Sequence, residues 1–157
     1  MARKTKLVTV GDEGGRDKGK IFLITELSAF DGEDWTLRAL RLAQRAGTDV
    51  PGGIQGGMAA VAAIGIMTIL SSATDIDELR PLFADMMACV QIMTDPKTQH
   101  VRKLIDRGAN AQGGVNEDIE ESGTRLLLRK EWLDLHLNFS VAEAISTLIS
   151  ASKPPAS

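Results

Sequence analysis

Apolar residues recur with two different periods along this chain, and the N-terminal part has the pattern of a β-hairpin. Thr5 to Val10 and Lys20 to Leu27 are β-prone apolar runs. The residues between them, from Gly11 to Asp17, are mostly glycine and charged residues, as is typical of turns. An isolated hairpin is marginally stable in water, so we expect it to pack on helices or to pair with a partner strand through an exposed edge.

After the hairpin, the apolar residues recur with a helical period, which predicts a first helix from Asp31 to Ala46. Trp35, Ala39 and Leu42 lie at the spacing that places side chains on one helical face. The acidic residues at the start favour the positive end of the helix dipole. Gly47 is a residue type that commonly ends helices.

The middle of the chain is apolar and carries no charged residue between Asp49 and Asp75. We interpret Pro51 to Gly57 as a linker and Met58 to Ser72 as a central helix surrounded by others, because it is apolar nearly all round. Its strongly apolar part, Met58 to Leu70, is shorter than the roughly 20 residues that span a bilayer. No membrane span is therefore expected.

The next segment predicts a short turn near Asp75 and then a new helix that begins at Pro81, since proline is well accommodated in a first helical turn. Asp95-Pro96 would end this helix. A further short helix is predicted from Lys97 to Arg107. The apolar face of the Pro81 helix would consist of Leu82, Phe83, Met86, Met87, Val90 and Met93.

The C-terminal third predicts a loop from Gly108 to Asn116, a helix from Glu117 to Asn138 and a last helix after the capping residue Ser140. The fold class expected from the whole pattern is mainly α. We expect a single helical domain over residues 1–150, with the N-terminal hairpin at about residues 5–27 and a flexible tail over residues 151–157.

Composition and charge narrow the classes of function. The chain has 157 residues, 43% hydrophobic and 25% charged, as in ordinary globular proteins. A net charge of -3 argues against nucleic-acid binding by bulk electrostatics. Cys89 is the single cysteine, so no internal disulfide is expected, and the charged N-terminus does not have the pattern of a signal peptide. These features predict that the protein stays in the cytoplasm where it is made.

No motif for catalysis or metal binding emerges from the sequence. The two histidines, His100 and His136, are far apart and have no zinc-ligand spacing. The glycine-rich segments lack the phosphate-loop pattern, and the acidic residues from Glu117 to Glu121 lack the alternation of a calcium loop. We therefore expect no enzyme, no metal and no cofactor.

Several stretches resemble the tail assembly chaperones of long-tailed bacteriophages. The first is Gly19 to Glu26, followed by Trp35 to Leu40; the second is Met86 to Ile92; the third is Glu117 to Leu126. Each stretch is a weak signature, and their order along the chain carries the resemblance. It extends from about Arg16 to Ser140.

The resemblance implies a protein that binds the phage tape measure protein in the host cytoplasm and keeps its apolar helices soluble while tail tube subunits polymerise. The candidate partners are the tape measure protein, the tail tube protein and further copies of the chain, with neither nucleic acid nor a membrane. A structural virion subunit, such as a connector or tail-completion protein, is the alternative, and a small-molecule enzyme or regulator is a third class without a supporting motif.

A methionine-rich apolar groove is the binding site that we hypothesise for such a partner. Flexible thioethers suit surfaces that accept varied apolar partners, although helical spacing alone favours ordinary core positions for the same residues. Tryptophan is a common anchor of protein interfaces. The candidate partner-binding residues are Trp35, Leu82, Met86, Met87, Val90, Met93 and Trp132.

Overall fold

A computed structural model describes residues 2–45, 76–105 and 117–137 of the chain. Within these ranges, four strands form one antiparallel sheet in the order β1-β2-β3-β4. The strands are β1 (Thr5–Thr9), β2 (Ile21–Thr25), β3 (Val90–Asp95) and β4 (His100–Lys103). The helices of these ranges are α1 (Ala29–Arg45), α2 (Ile76–Ala88) and α3 (Ser122–Leu137), and a 3-10 segment occupies Asp12–Asp17.

The prediction of a mainly α fold is wrong, because the described residues form a mixed α/β structure with a four-stranded sheet. The error lies in the segment after α2, where β3 replaces the last part of the helix predicted from Pro81 and β4 falls within the helix predicted from Lys97 to Arg107. Val90 and Met93 are therefore strand residues and do not continue the helical face that begins at Leu82.

Strand β3 forms because it has both a suitable local pattern and a partner. Val90 and Ile92 are β-branched, alternate with Gln91 and Met93, and are buried. The strand pairs with β2, and the buried residues of the two strands lie next to each other on the same face of the sheet. The directly opposed residues are Ile21 and Met93, Phe22 and Ile92, Leu23 and Gln91, and Ile24 and Val90.

A hairpin turn stands where the short helix from Lys97 was predicted. The Asp95 carboxylate accepts hydrogen bonds from the Lys97 amide at 2.9 Å and from the Thr98 hydroxyl at 3.0 Å. Gln99 adopts a positive φ of 55°. These local bonds turn the chain back on itself, and β4 then pairs with β3 in place of forming a helix.

The predicted N-terminal hairpin is confirmed, and β1 and β2 lie directly opposite each other from Thr5 and Thr25 to Thr9 and Ile21. Two glycines allow the tight connection between the strands. Gly15 adopts a positive φ of 55°, and a Cβ atom on Gly14 would collide with the side chain of Val10.

The predicted first helix is also confirmed, although α1 begins at Ala29, before the expected start. Ser28 caps it, because the Asp31 amide donates to the Ser28 hydroxyl, which in turn donates to the Asp31 carboxylate. Trp35 and Ala39 are buried, in agreement with the predicted stripe.

Helix α2 runs through Pro81, whereas a new helix was expected to begin there. Pro81 lacks an amide hydrogen and so removes one hydrogen bond near the start of the helix. A continuous helix places Leu79 and Leu82 on one stripe, and both are buried. Burial of this stripe outweighs the lost hydrogen bond.

Helix α3 begins at Ser122, five residues after the predicted start at Glu117, because the preceding residues bind to other parts of the protein. It covers one face of the sheet. Lys6 of β1 forms an ion pair with Glu131 of α3, and Lys6 lies on the same face as the buried Ile24 and Val90. We call this the covered face of the sheet.

The chain divides into two compact units. The first draws its residues from Met1–Glu26 and Asp85–Leu135, and contains the sheet and nearly all of α3. The second draws its residues from Leu27–Ala84 and His136–Ser157, and contains α1 and most of α2. The predicted linker at 51–57, the helix at 58–72, the loop at 108–116, the last helix after Ser140 and the tail at 151–157 lie outside the described residues.

Candidate functional site

The structure places the predicted partner-binding residues mainly in the core. Only Met93 is partly exposed. The buried members are Trp35, Leu82, Met86, Met87, Val90 and Trp132. The buried side chains are not accessible in this folded form, and Met93 is the predicted residue that a partner could contact directly.

These residues also belong to different units. In the second unit, the Trp35 indole donates a hydrogen bond to the Leu82 carbonyl at 3.1 Å, which fixes the buried ring in α1 against α2. Met86, Met93 and Trp132 belong to the first unit. The structure therefore brings Trp35 and Leu82 together, and it assigns the methionines and Trp132 to the unit that contains the sheet.

A buried carboxylate that the sequence does not indicate lies in the connection between β1 and β2. Asp17 is fully buried at the end of the 3-10 segment. Its two carboxylate oxygens accept hydrogen bonds from the Glu120 amide at 3.0 Å, the Glu121 amide at 2.9 Å and the Lys20 ammonium at 2.8 Å. Asp17 thus holds the residues that lead into α3.

The hydrogen bonds determine the charge state of Asp17. Burial by itself raises the pKa of this carboxyl, because it disfavours the charged form. The bonds from Lys20 and from the amides of Glu120 and Glu121 outweigh burial and lower the pKa to about 2. Asp17 is therefore ionised at neutral pH and has its partners inside the protein.

A second carboxylate, that of Asp118, binds Arg102 of β4. We call the charged residues around Asp17 and Asp118 the ionic cluster. Arg102 donates two hydrogen bonds to the Asp118 carboxylate, at 2.7 and 2.8 Å, and the Ile105 amide donates a third at 2.6 Å. The bonds from Arg102 are the main reason that the pKa of Asp118 is lowered. Lys20 links Asp17 to the Asp118 backbone, because its ammonium also donates to the Asp118 main-chain carbonyl at 2.9 Å.

The ionic cluster is best interpreted as a structural clamp. Its carboxylates already accept hydrogen bonds from the protein, which leaves them poorly suited to acid–base chemistry or to a cation. Among the residues that the structure describes, no group of three or more potential metal-ligating side chains comes together. The clamp joins the hairpin, β4 and the start of α3 into one unit.

We expect Asp118→Asn to loosen the clamp locally, because an amide cannot pair with Arg102 as a carboxylate does and leaves the Ile105 amide with a weaker acceptor. The stability should fall by about 1 kcal/mol, a value reduced because Arg102 is partly exposed. Hydrogen exchange at the Ile105 amide should become about fivefold faster. Asp34→Asn, which removes the exposed pair with Arg38, is the control and should leave this exchange unchanged.

The second face of the sheet is apolar and partly exposed, and we call it the open face. Leu7 is 56% exposed, and its apolar neighbours on this face are half-buried. Because opposed residues of paired strands share a face, the register defines its rows. They consist of Leu7, Leu23, Gln91 and Lys103 in one row and Thr9, Ile21, Met93 and Val101 in the next.

The outer edge of β1 is the other distinctive surface of this unit. The Val10 amide donates to the Lys20 carbonyl and the Glu26 amide donates to the Lys4 carbonyl, so the residues that flank β1 on either side bond towards the β2 side. Hydrogen-bonding directions alternate along an antiparallel strand. The backbone groups of Thr5, Leu7 and Thr9 therefore point away from β2. Among the described strands, β1 has a neighbour on one side only.

The open face had a signal in the sequence. Ile21 to Ile24 is an unbroken apolar run, and such a strand has apolar side chains on both of its faces. Asp17 had no comparable signal, because an aspartate in a glycine-rich turn is ordinary. Its backbone partners, the amides of Glu120 and Glu121, are about a hundred residues away, and only the fold brings them within hydrogen-bond distance.

Comparison with known proteins adds no relative: the chain matches no family model, no curated protein and no solved structure. The site must therefore be judged on its geometry. Within the described ranges, no helix is both long and apolar enough to cross a membrane. The open face and the β1 edge are the two surfaces of the sheet that we consider as candidate binding sites.

Proposed function

We propose that this protein is a tail assembly chaperone of a long-tailed bacteriophage, which binds the tape measure protein and keeps it soluble during tail tube assembly. It acts in the host cytoplasm by binding rather than by catalysis. Its partners are the tape measure protein and, during assembly, the tail tube protein. The proposal begins from the resemblance of the sequence stretches described above.

One observation carries the proposal: three of the four stretches that resemble this family lie in the first unit, whereas Trp35 to Leu40 lies in α1 of the second. Gly19 to Glu26 contains β2, and Met86 to Ile92 leads into β3, its direct neighbour in the sheet. Glu117 to Leu126 supplies the amides that bind Asp17 and the start of α3. The connection of these three segments in one unit supports the proposal.

The first unit meets the physical requirements of such a chaperone. A protein that shields apolar helices needs an accessible apolar surface on an otherwise soluble body. The open face supplies such a surface, with Leu7 more than half exposed. The net charge of -3 opposes self-aggregation of the free protein.

Co-expression with the tape measure protein expected to be encoded nearby tests the proposal. We expect the tape measure protein to be soluble only when this protein is present, and the two to co-elute in gel filtration with light scattering. A tape measure protein that stays insoluble, with no association in a pull-down, would refute the chaperone function. An unrelated acidic protein of similar size serves as the control for non-specific solubilisation.

A structural virion subunit is the second candidate, and the one-sided pairing of β1 favours it. Outward backbone groups on an edge strand can pair with a strand of a neighbouring subunit, as in rings and tubes. Electron microscopy of the isolated protein and mass spectrometry of mature particles separate the two functions. Regular rings and presence in the particle favour the structural subunit, whereas absence from the particle favours the chaperone.

A further inference from the structure

We propose that the open face is the binding site for one amphipathic α-helix of the tape measure protein; this inference rests on the proposed function and assigns its site. The site is centred on Leu7, Ile21, Leu23, Met93 and Val101. It differs from the groove expected from the sequence, with which it shares only Met93.

The size of the open face favours a helix over a second copy of the chain. Four strands spaced about 4.8 Å apart and about five residues long give a face of roughly 19 by 17 Å, or about 300 Å². A stable interface between proteins buries about 800 Å² on each partner. A helix of about 12 residues is about 18 Å long and matches the face in length.

The chemistry of the open face also suits a helix with an apolar stripe. Lys103 is the only charged residue among the described strand positions of this face, and it lies in β4, one of the two edge strands. Apolar side chains of a helix would therefore contact the centre without burying a protein charge. A carboxylate on the polar side of the helix would pair with Lys103 at the rim.

The covered face shows that this sheet accepts a helix. Helix α3 has 16 residues and lies on the covered face, where Lys6 pairs with Glu131. A tape measure helix on the open face would complete a helix–sheet–helix arrangement and remove Leu7 from water. The free energy of binding would come mainly from the apolar surface that both partners bury.

Two leucines of equal exposure provide a matched test. Leu7 on the open face and Leu126 on α3 are both 56% exposed and both belong to the first unit. We would co-express the tape measure protein with wild type, Leu7→Lys, Met93→Lys or Leu126→Lys. The amount of tape measure protein that co-elutes should fall about tenfold or more with the two open-face variants and stay at the wild-type level with Leu126→Lys.

The possible outcomes separate this inference from the function on which it rests. If wild type does not bind the tape measure protein, the proposed function fails and the site with it. If wild type and all variants bind equally, the function stands and the open face is not the site. A wild-type dimer that Leu7→Lys converts to monomer would instead make a second copy the occupant and overturn the inference.

A measurement on the wild-type protein avoids variants that fail to fold. Methyl-labelled methionine reports the surroundings of each methionine by NMR, and the Met93 signal can be assigned with Met93→Leu. Addition of the co-eluting tape measure fragment should shift the Met93 signal and leave the buried Met86 and Met87 signals in place. Shifts confined to Met86 and Met87 would overturn the open face as the site.

Discussion

Replacement of Trp132 by alanine should lower the free energy of unfolding by about 4 kcal/mol. Trp132 is only 2% exposed on α3, the helix that covers one face of the sheet. The change removes a large buried side chain, and the surrounding residues can fill the resulting cavity only in part. Urea unfolding followed by far-UV circular dichroism measures the loss.

This experiment distinguishes a core role of Trp132 from an interface role, because the sequence pattern predicted Trp132 as a partner-binding residue. Leu126→Ala on the same helix is the control, and it should change stability by less than about 0.5 kcal/mol because Leu126 is exposed. A Trp132→Ala protein that unfolds like wild type but no longer binds the tape measure protein would contradict the structural assignment and restore the groove hypothesis.

Asp17→Ala should also be strongly destabilising, by about 3 kcal/mol. The substitution removes the acceptor for the Glu120 and Glu121 amides and leaves the Lys20 ammonium without its buried partner. Asp12→Ala in the same connection is the control, since Asp12 is exposed and forms its ion pair with the exposed Lys18. Equal stability of the two variants would show that the hydrogen bonds of Asp17 contribute nothing to stability.

The low pKa of Asp17 gives this prediction a pH dependence. The pKa in the folded protein is about 2, below the ordinary value of 3.8, so the folded protein binds the Asp17 proton more weakly than the unfolded chain does. The resulting stability is fully present above about pH 4 and is lost as the pH falls towards 2. It amounts to about 2 kcal/mol, since each pKa unit corresponds to about 1.4 kcal/mol.

Comparison of the two aspartate variants in acid tests this assignment. Asp12→Ala should keep the loss of stability between about pH 4 and pH 2, because Asp17 is intact. Asp17→Ala should show a smaller loss over the same interval, with the difference close to the 2 kcal/mol above. Parallel pH profiles for the two variants would assign the acid sensitivity to other carboxyls.

Local patterns were sufficient for the hairpin, α1 and much of α3. Glycine and charged residues between two apolar runs led to the confirmed β1–β2 pairing, because turn chemistry acts over a few neighbouring residues. The spacing of Trp35, Ala39 and Leu42 led to the buried stripe of α1. In these segments the local preference and the tertiary packing favour the same structure.

Local patterns were not sufficient after Met86, where two periods fit the same residues. Met86, Val90 and Met93 lie at helical spacing, whereas Val90 and Ile92 also alternate as in a strand. The pairing of β3 with β2 decides between them, and β2 is more than sixty residues earlier in the chain. The helical face predicted from Leu82 to Met93 is interrupted for this reason, and Met93 lies on the open face instead.

By itself, then, the sequence determined the elements whose residues lie close together along the chain, together with the apolar run that makes both faces of β2 apolar. Only the tertiary structure decided that β3 and β4 extend the hairpin into a sheet, that α3 covers one of its faces, and that Asp17 is the buried centre of a clamp. The physical reason is that strand pairing and the ionisation of a buried carboxylate depend on groups distant in sequence, which only the fold brings together.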